Sequence, residues 1–122
     1  MIKVLLIDPF AKSITEHEIE EGLQAIYDIL DCNMIEAPVT FPPSGDALYC
    51  DEEAWLHAGD SALAGFMFPD WSYAILGKAL IVGTDEEDGV DIDCTMTVDD
   101  FDKIIWKESW EMEDQARQMG LW

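Results

Sequence analysis

Six carboxylates within nine residues form the densest group of potentially reactive side chains in the sequence. No lysine or arginine lies among them, and they are Asp85, Glu86, Glu87, Asp88, Asp91 and Asp93. Carboxylates can bind cations, exchange protons or attract a basic protein surface. Leu80, Ile81 and Val82 precede the group, and this short apolar run predicts a buried strand that ends at Gly83. The strand would hold the acidic residues at the surface.

A calcium site is the first chemistry that this spacing could serve. An EF-hand loop needs Asp at its first position, Gly at its sixth and Glu at its twelfth. When Gly89 takes the sixth position, Thr84 and Thr95 occupy the first and the last. Both outer ligands are therefore missing, and we predict a solvated acidic loop and no metal site.

Nucleophilic catalysis is not indicated by the cysteines and histidines. Cys32, Cys50 and Cys94 are an odd number without C-x-x-C spacing, so we expect small core residues in a reducing cytoplasm rather than a disulfide framework. His17 and His57 have no flanking signature of a Cys–His pair or a zinc site.

Acid–base and phosphate chemistry are equally unsupported. With 27 carboxylates in the chain, a close pair carries no information about glycosidase chemistry. The glycines form neither a dinucleotide-binding loop nor a P-loop. We therefore predict no catalytic residue and no cofactor.

Composition describes a folded and strongly acidic protein. The 122 residues predict one acidic α+β domain over residues 1–122, and 49% of them are hydrophobic, enough for an independent core. The net charge of −21 should repel nucleic acid and anionic membranes, so basic protein surfaces are the expected partners. No apolar run approaches the ~20 residues that a membrane span needs.

Hydrophobic periodicity predicts the elements that would position these residues. Expected strands cover residues 2–7, 34–39, 47–50 and 73–82, the last broken near Gly77, and a helix covers residues 20–30. Residues 14–19 fit either a hairpin partner of the first strand or an earlier start of that helix. Residues 51–72 show no clear periodicity, and the expected local structures there are a helical turn over residues 52–58 and a loop at residues 68–71.

A long C-terminal helix over residues 98–119 is the clearest single element. Thr97 is a suitable N-cap, and Gly120 would end the helix. One apolar stripe contains Val98, Phe101, Ile105, Met112, Ala116 and Met119, of which Val98, Phe101, Ile105 and Met112 are predicted core residues. The resulting fold class is α+β, with an antiparallel or mixed sheet packed on one face by two helices, the longer one C-terminal.

The opposite side of this predicted helix carries a second apolar group. Trp106 and Trp110 are four residues apart and lie near Lys103 and Lys107. A helix that is apolar on two faces must bury both, or leave one for a partner. The two indoles are therefore expected to pack within the domain, to bind a foreign partner or to form a homodimer.

Three segments resemble a small domain family of unknown function found in phages, plasmids and bacterial mobile elements. They are residues 2–9 (IKVLLIDP), residues 47–53 (ALYCDEE) and residues 77–89 (GKALIVGTDEEDG). The chain departs from the family pattern at Cys50, where the family has asparagine, and at Asp60-Ser61, where it has Asn-Arg. The resemblance implies an α+β fold in a phage or mobile-element context, and it carries over no catalytic residue.

Charge is then the main guide to function. A rigid acidic surface can occupy the basic groove of a DNA-binding protein, because it releases counterions and steers association as DNA does. The leading hypothesis is an inhibitor of the anti-restriction or anti-CRISPR type that mimics DNA to block a host nuclease or other defence protein. The alternative is a non-enzymatic adaptor that binds a partner through Trp106 and Trp110, and a small enzyme is less favoured.

Overall fold

A computed structural model describes residues 1–41, 44–57, 63–85, 87 and 89–121. Nine strands, three α-helices and one 3₁₀ helix are found in these ranges. In chain order they are β1 (Ile2–Asp8), β2 (Ser13–Ile19), α1 (Leu23–Leu30), β3 (Ile35–Phe41), β4 (Asp46–Asp51), α2 (Ala54–His57), β5 (Gly65–Met67), β6 (Ile75–Leu76), β7 (Ala79–Thr84), β8 (Asp91–Ile92), the 3₁₀ helix (Val98–Phe101), β9 (Ile105–Lys107) and α3 (Ser109–Gln118).

The main sheet has the strand order β2-β1-β7-β4-β3, and every pairing is antiparallel. The short strand β8 pairs only with the end of β7. Strand β7 lies in the centre, and its residues from Ala79 to Gly83 are buried. Because successive side chains alternate, Leu80 and Val82 face one core while Ala79 and Ile81 face another. A strand buried on both faces has a continuous apolar sequence, as predicted here.

Helix α1 covers one face of the main sheet. Its Ile26 and Leu30, four residues apart, pack against Val4, Leu80 and Val82. Gly22 precedes the helix with φ of 106°, a conformation outside the helical region, so the helix begins at Leu23 rather than at residue 20.

The opposite face packs against a second, smaller sheet of order β6-β5-β9. Phe66 of β5 shares a buried cluster with Leu5, Leu48 and Ile81 of the main sheet. Helix α3 lies against a separate cluster, where Met112 meets Leu63, Ala74 and Leu76. The fold is α+β with its longest helix at the C-terminus, as predicted, but α1 and α3 do not share one face of the main sheet.

Strands β1 and β2 form the hairpin that was one of the two sequence alternatives. Their register runs without a break from Ile2 opposite Ile19 to Asp8 opposite Ser13. In the connecting turn, Asp8 Oδ1 accepts hydrogen bonds from the backbone N–H groups of Phe10 (3.0 Å) and Ala11 (3.3 Å). The Asp8 side chain thus stabilises the turn that keeps residues 13–19 out of a helix.

The continuous helix predicted over residues 98–119 is wrong. The segment forms the 3₁₀ helix, then strand β9, then α3. Ile104, Ile105 and Trp106 are β-branched or aromatic residues that favour strands, and β9 pairs with β5, with Trp106 opposite Phe66. Tertiary pairing with β5 therefore overrides the helical periodicity of the sequence.

The break also changes which side chains of the segment form the core. Phe101 is 1% exposed and Met112 fully buried, so these two predictions are confirmed. Val98 is 43% exposed and Ile105 38% exposed, so neither is a core residue. The predicted apolar stripe assumes a rotation of 100° per residue along one helix, and that angle does not apply across a strand.

Across the described ranges, no helix has the length and apolar character to cross a membrane.

Candidate functional site

The acidic stretch connects β7 to β8 through a tight turn. Thr84 pairs with Asp91, and Gly83 pairs with Ile92. The turn is closed by hydrogen bonds from the N–H of Asp85 to the carbonyl of Val90 (2.9 Å) and from the N–H of Gly89 to the carbonyl of Asp85 (2.7 Å). The described part of the stretch therefore forms a hairpin that extends the central strand.

Three of the six predicted carboxylates bind groups within the chain. Asp85 Oδ1 accepts from the N–H of Glu87 (2.9 Å), Asp91 Oδ1 from the hydroxyl of Tyr49 (3.2 Å) and Asp93 Oδ1 from the N–H of Lys3 (2.8 Å). Burial and the negative charge of Asp91 raise the pKa of Tyr49, which keeps its hydroxyl protonated as the donor. These three acids have structural roles that acidic spacing alone did not reveal.

Glu87 is the remaining described acid of the stretch. The Glu87 side chain is exposed. Glu86 and Asp88 lie outside the described residues, so their predicted role stays a prediction. Among the described acids of the turn, Glu87 therefore presents its charge to solvent.

Gly83 does not end the strand, contrary to the sequence prediction. Strand β7 continues to Thr84, and Gly83 instead permits a close approach of the following chain. A Cβ atom at this position would overlap the carbonyl oxygen of Asp93 and would lie 3.0 Å from that of Ile92. Glycine is required here because backbone, rather than a movable side chain, fills the space.

Residues 93–96, which we call the crossing segment, connect the two strands that flank β7. The N–H of Cys94 donates to the carbonyl of Lys3 in β1 (2.9 Å). The carboxylate of Asp46 in β4 accepts from the N–H groups of Thr95 (2.9 Å) and Met96 (2.8 Å). The acidic hairpin is therefore held to the main sheet on both sides.

Asp46 is the residue at this site that the sequence analysis missed. Its side chain is 1% exposed, and it is the one charged residue buried to that degree in the described ranges. Backbone N–H groups, rather than a cation, satisfy its oxygens. In the sequence, Asp46 directly precedes the strand predicted over residues 47–50, and this position does not distinguish it from an exposed turn aspartate.

A second concentration of carboxylates lies between β2 and α1. The groove at this place has a volume of about 530 Å³. Glu18, Glu20, Glu21 and Asp28 line it without a lysine or arginine, while Ile19 and Ile29 supply apolar lining. Glu18, Glu20 and Glu21 are neighbours in the sequence, whereas Asp28 of α1 joins them only through the packing of the helix.

The predicted shared face of Trp106 and Trp110 is not present. Trp106 lies in β9 and packs, partly buried, against the core that contains Phe66. Trp110 lies in α3 and is 69% exposed. Trp110 instead lines a groove of about 480 Å³ with Tyr73 and Met119, both of which are also exposed.

Thiol and metal chemistry find little support in the described geometry. Cys32, Cys50 and Cys94 are buried free cysteines, as predicted, and burial raises the pKa of all three thiols, that of Cys50 to about 12. Thiols in this state are poor nucleophiles at neutral pH. His17 is hydrogen-bonded to Thr15 Oγ1 (2.7 Å), and no group of three potential metal ligands occurs among the described residues.

Cations cannot neutralise the charge of the molecule. The chain has 27 carboxylate residues and six lysines and arginines, an excess of 21 acids. The ion pairs of the described ranges include Lys12 with Glu108 (2.5 Å) and Lys107 with Glu111 (3.3 Å). The surface therefore keeps a strong negative field that water, salt or another molecule must balance.

Comparison with known proteins gives a family without an assigned activity. A family model described as "Domain of unknown function (DUF3846)" matches residues 2–104. No curated protein and no solved structure matches the chain. The matched region covers the main sheet, the acidic hairpin and the crossing segment, so these features lie within the family domain.

Proposed function

We propose that this chain, which belongs to the DUF3846 family of domains of unknown function, is an acidic inhibitor that mimics the charge of DNA. Its target would be a host nuclease or another DNA-binding defence protein, and a phage or mobile genetic element would encode it. The observation that carries the proposal is the excess of 21 carboxylates on a well-packed scaffold. An ordered acidic surface binds a basic groove without the entropic cost of ordering a flexible chain.

The acidic turn between β7 and β8 is the proposed contact. It extends from the central strand of the main sheet, which is buried from Ala79 to Gly83, and the crossing segment holds its far end. Asp85, Asp91 and Asp93 shape this support through their hydrogen bonds. Glu86, Glu87 and Asp88 supply the charge that meets the partner.

Capture from host lysate at low and high salt tests the proposal. A retained protein should be released by salt and displaced by duplex DNA, because DNA and the inhibitor would compete for one basic groove. The variant Glu86→Gln/Glu87→Gln/Asp88→Asn should associate more slowly and show a flatter salt dependence. It keeps Asp85, whose hydrogen bond maintains the turn.

A charge-matched control separates the local contact from the overall field. Asp70→Asn/Asp99→Asn/Asp102→Asn also removes three carboxylates, from exposed positions in other elements. The control should weaken binding less than the turn variant. If neither variant changes association, and duplex DNA does not displace the captured protein, charge mimicry by this turn is wrong.

A second candidate is a partner-binding or self-association role of the groove at Trp110. The specific observation in its favour is that Trp110, Tyr73 and Met119 are all exposed around one groove. Tryptophan is a frequent anchor at interfaces, and a second copy of the chain is one partner that this face could take. Trp106 is no longer part of this hypothesis, because it packs against the core.

Sedimentation of the wild type and of Trp110→Ala at two salt concentrations tests self-association. Salt screens the repulsion between two acidic chains, so a dimer through Trp110 should strengthen as salt rises. Leu56→Ala is the control, since Leu56 is 77% exposed and does not line this groove. A wild type that stays monomeric at high concentration in high salt would rule out the dimer.

A further inference from the structure

The free edge of strand β2 has the properties of a docking site for a second strand. β2 is at one end of the main sheet and runs for seven residues, paired with β1 in an unbroken register. The opposite edge, β3, contains Pro38 and a register shift between Glu36 and Val39. Proline and bulges are devices that block strand addition, so β3 is protected in a way that β2 is not.

The direction of the β2 backbone groups follows from the bonds of Lys3 in β1. The N–H of Lys3 donates to Asp93 Oδ1, and its carbonyl accepts from the N–H of Cys94. Both groups of Lys3 therefore point away from β2, and the pair of Lys3 with Glu18 is a non-hydrogen-bonded pair of the ladder. Hydrogen-bonded and non-hydrogen-bonded pairs alternate in an antiparallel ladder.

The alternation assigns every residue of β2. Ser13, Thr15, His17 and Ile19 direct their backbone groups towards β1. Ile14, Glu16 and Glu18 direct theirs towards the free edge, and within the described part of the chain no hydrogen bond to these groups is found. A strand added here would complete up to three pairs of backbone hydrogen bonds.

Charge decides which strand this edge would accept. The side chains of Glu16 and Glu18 are exposed and lie on the same side of the sheet, because they pair with Leu5 and Lys3. An antiparallel second copy centred on Glu16 would place that carboxylate opposite itself, which is destabilising. A strand with lysine or arginine at alternate positions would instead form cross-strand pairs of opposite charge.

We propose that the β2 edge binds an extended, cationic segment of a partner protein by β-strand addition. Backbone pairing with Ile14, Glu16 and Glu18 supplies the affinity, and basic side chains opposite Glu16 and Glu18 supply the specificity. An antiparallel partner would have the pattern basic–x–basic–x–apolar, with the apolar residue opposite Ile14. This site is separate from the acidic turn at residues 85–88 and does not depend on its role.

A peptide titration followed by NMR tests the proposal. The probe is acetyl-Lys-Thr-Lys-Thr-Val-amide, and its control has the same charge but carries N-methyl groups on the two lysines and the valine. Both are added to the ¹⁵N-labelled full chain. The unmodified peptide should bind at least about tenfold more tightly, because only it can donate the three backbone hydrogen bonds. Amide exchange at Ile14, Glu16 and Glu18 should slow.

Two variants at one position separate pairing from charge. Glu16→Gln keeps the outward N–H and removes the carboxylate, whereas Glu16→Pro removes both and leaves the ladder with β1 intact. We expect binding to fall moderately in E16Q and to be lost in E16P, with the β1 and β2 resonances confirming the fold of each. The turn variant described above should bind the peptide like the wild type.

Equal affinity of the two peptides would overturn strand addition and leave only charge attraction. The absence of any saturable change at Ile14, Glu16 and Glu18 would also overturn it. Binding that disappears in the turn variant but survives in E16P would place the cationic peptide on the acidic turn, and would overturn the β2 site while supporting the turn.

Discussion

Asp46 shows how one buried charge can hold the acidic hairpin to the main sheet. Its carboxylate accepts three hydrogen-bonding contacts from Thr95 and Met96 and connects β4 to the crossing segment. A buried carboxylate is stable only when donors replace its lost hydration, and these N–H groups are well directed for that purpose. The acidic hairpin therefore depends on a residue that is far from it in the sequence.

Asp46→Asn should destabilise the protein by about 2 kcal/mol, because the amide NH₂ would face backbone donors. Chemical denaturation of the wild type and the variant measures the loss. Asp93→Asn is the matched control, since exposed Asp93 accepts a single hydrogen bond from Lys3 and an amide oxygen can still accept it. Equal losses in the two variants would contradict the central role of Asp46.

The buried thiol of Cys50 should make the protein less stable at alkaline pH. Burial, followed by the charge of Glu36 near its Sγ atom, raises the pKa of Cys50 to about 12 in the folded protein. An unfolded cysteine has a pKa of about 8.5. Between these values the unfolded chain loses the thiol proton and the folded chain keeps it, so this thiol lowers the free energy of unfolding as pH rises through the window.

Denaturation curves of the wild type and Cys50→Ala, recorded from neutral pH to the alkaline limit of reversible folding, check this expectation. The wild type should lose stability relative to the variant above about pH 8.5. Lysine and tyrosine titration affects both proteins alike, so the difference isolates Cys50. Parallel curves across the window would show that the thiol does not remain protonated in the fold.

At the scale of elements, the chain between Thr97 and Gly120 contains three short elements in place of one helix. Phe101 anchors the 3₁₀ helix in the main core, with its ring 5.8 Å from that of Phe41 and 5.6 Å from that of Phe68. Met112 anchors α3 in a different cluster. Strand β9 lies between them in the chain and pairs with β5. This pairing fixes the positions from which Phe101 and Met112 enter their clusters.

Phe101→Ala should cost about 3–5 kcal/mol, because it removes a fully buried aromatic ring. Val98→Ala should cost well under ~1 kcal/mol, since Val98 is 43% exposed. A helix with both residues on one buried face would make both substitutions costly. Thermal or chemical unfolding of the two variants therefore reports directly on the broken helix, and a large loss for Val98→Ala would contradict it.

Local sequence patterns correctly predicted those elements whose apolar residues are also the residues buried in the structure. The continuous apolar run of β7, the short apolar stretch of β1 and the spacing of Ile26 and Leu30 each identified the right element type. The pairing of β9 with β5 was not predictable, because it depends on a partner some 40 residues earlier in the chain. For the same reason the sequence identified the acidic stretch but not which of its carboxylates are structural.

At the scale of the whole molecule, two large clusters lie on opposite faces of the main sheet and a third lies under α3. These clusters must hold together a chain with a net charge of −21. Repulsion among the carboxylates acts against folding, and it is long-ranged at low salt. The same field attracts a basic partner, so salt should act on folding and on binding in opposite directions.

Sodium chloride should therefore stabilise the isolated protein. The Debye length falls from ~30 Å at 0.01 M to ~3 Å at 1 M, which screens most of the repulsion between exposed carboxylates. A gain of about 1 kcal/mol would raise Tm by roughly 3–6 °C for a domain of this size. Differential scanning calorimetry at the two salt concentrations measures the effect, and sucrose, which is uncharged, is the control for general stabilisation by a cosolvent.

The turn variant connects this measurement to function. Removing three carboxylates should reduce the salt-dependent gain in Tm, and in the proposed complex it should also reduce the salt-dependent loss of affinity. The salt dependence of Tm and the salt dependence of affinity both arise from the excess negative charge. Only the salt dependence of affinity requires a basic partner at residues 86–88. A Tm that does not rise with sodium chloride in the wild type would mean that the carboxylates are already balanced within the fold, and that the molecule lacks the external field on which charge mimicry depends.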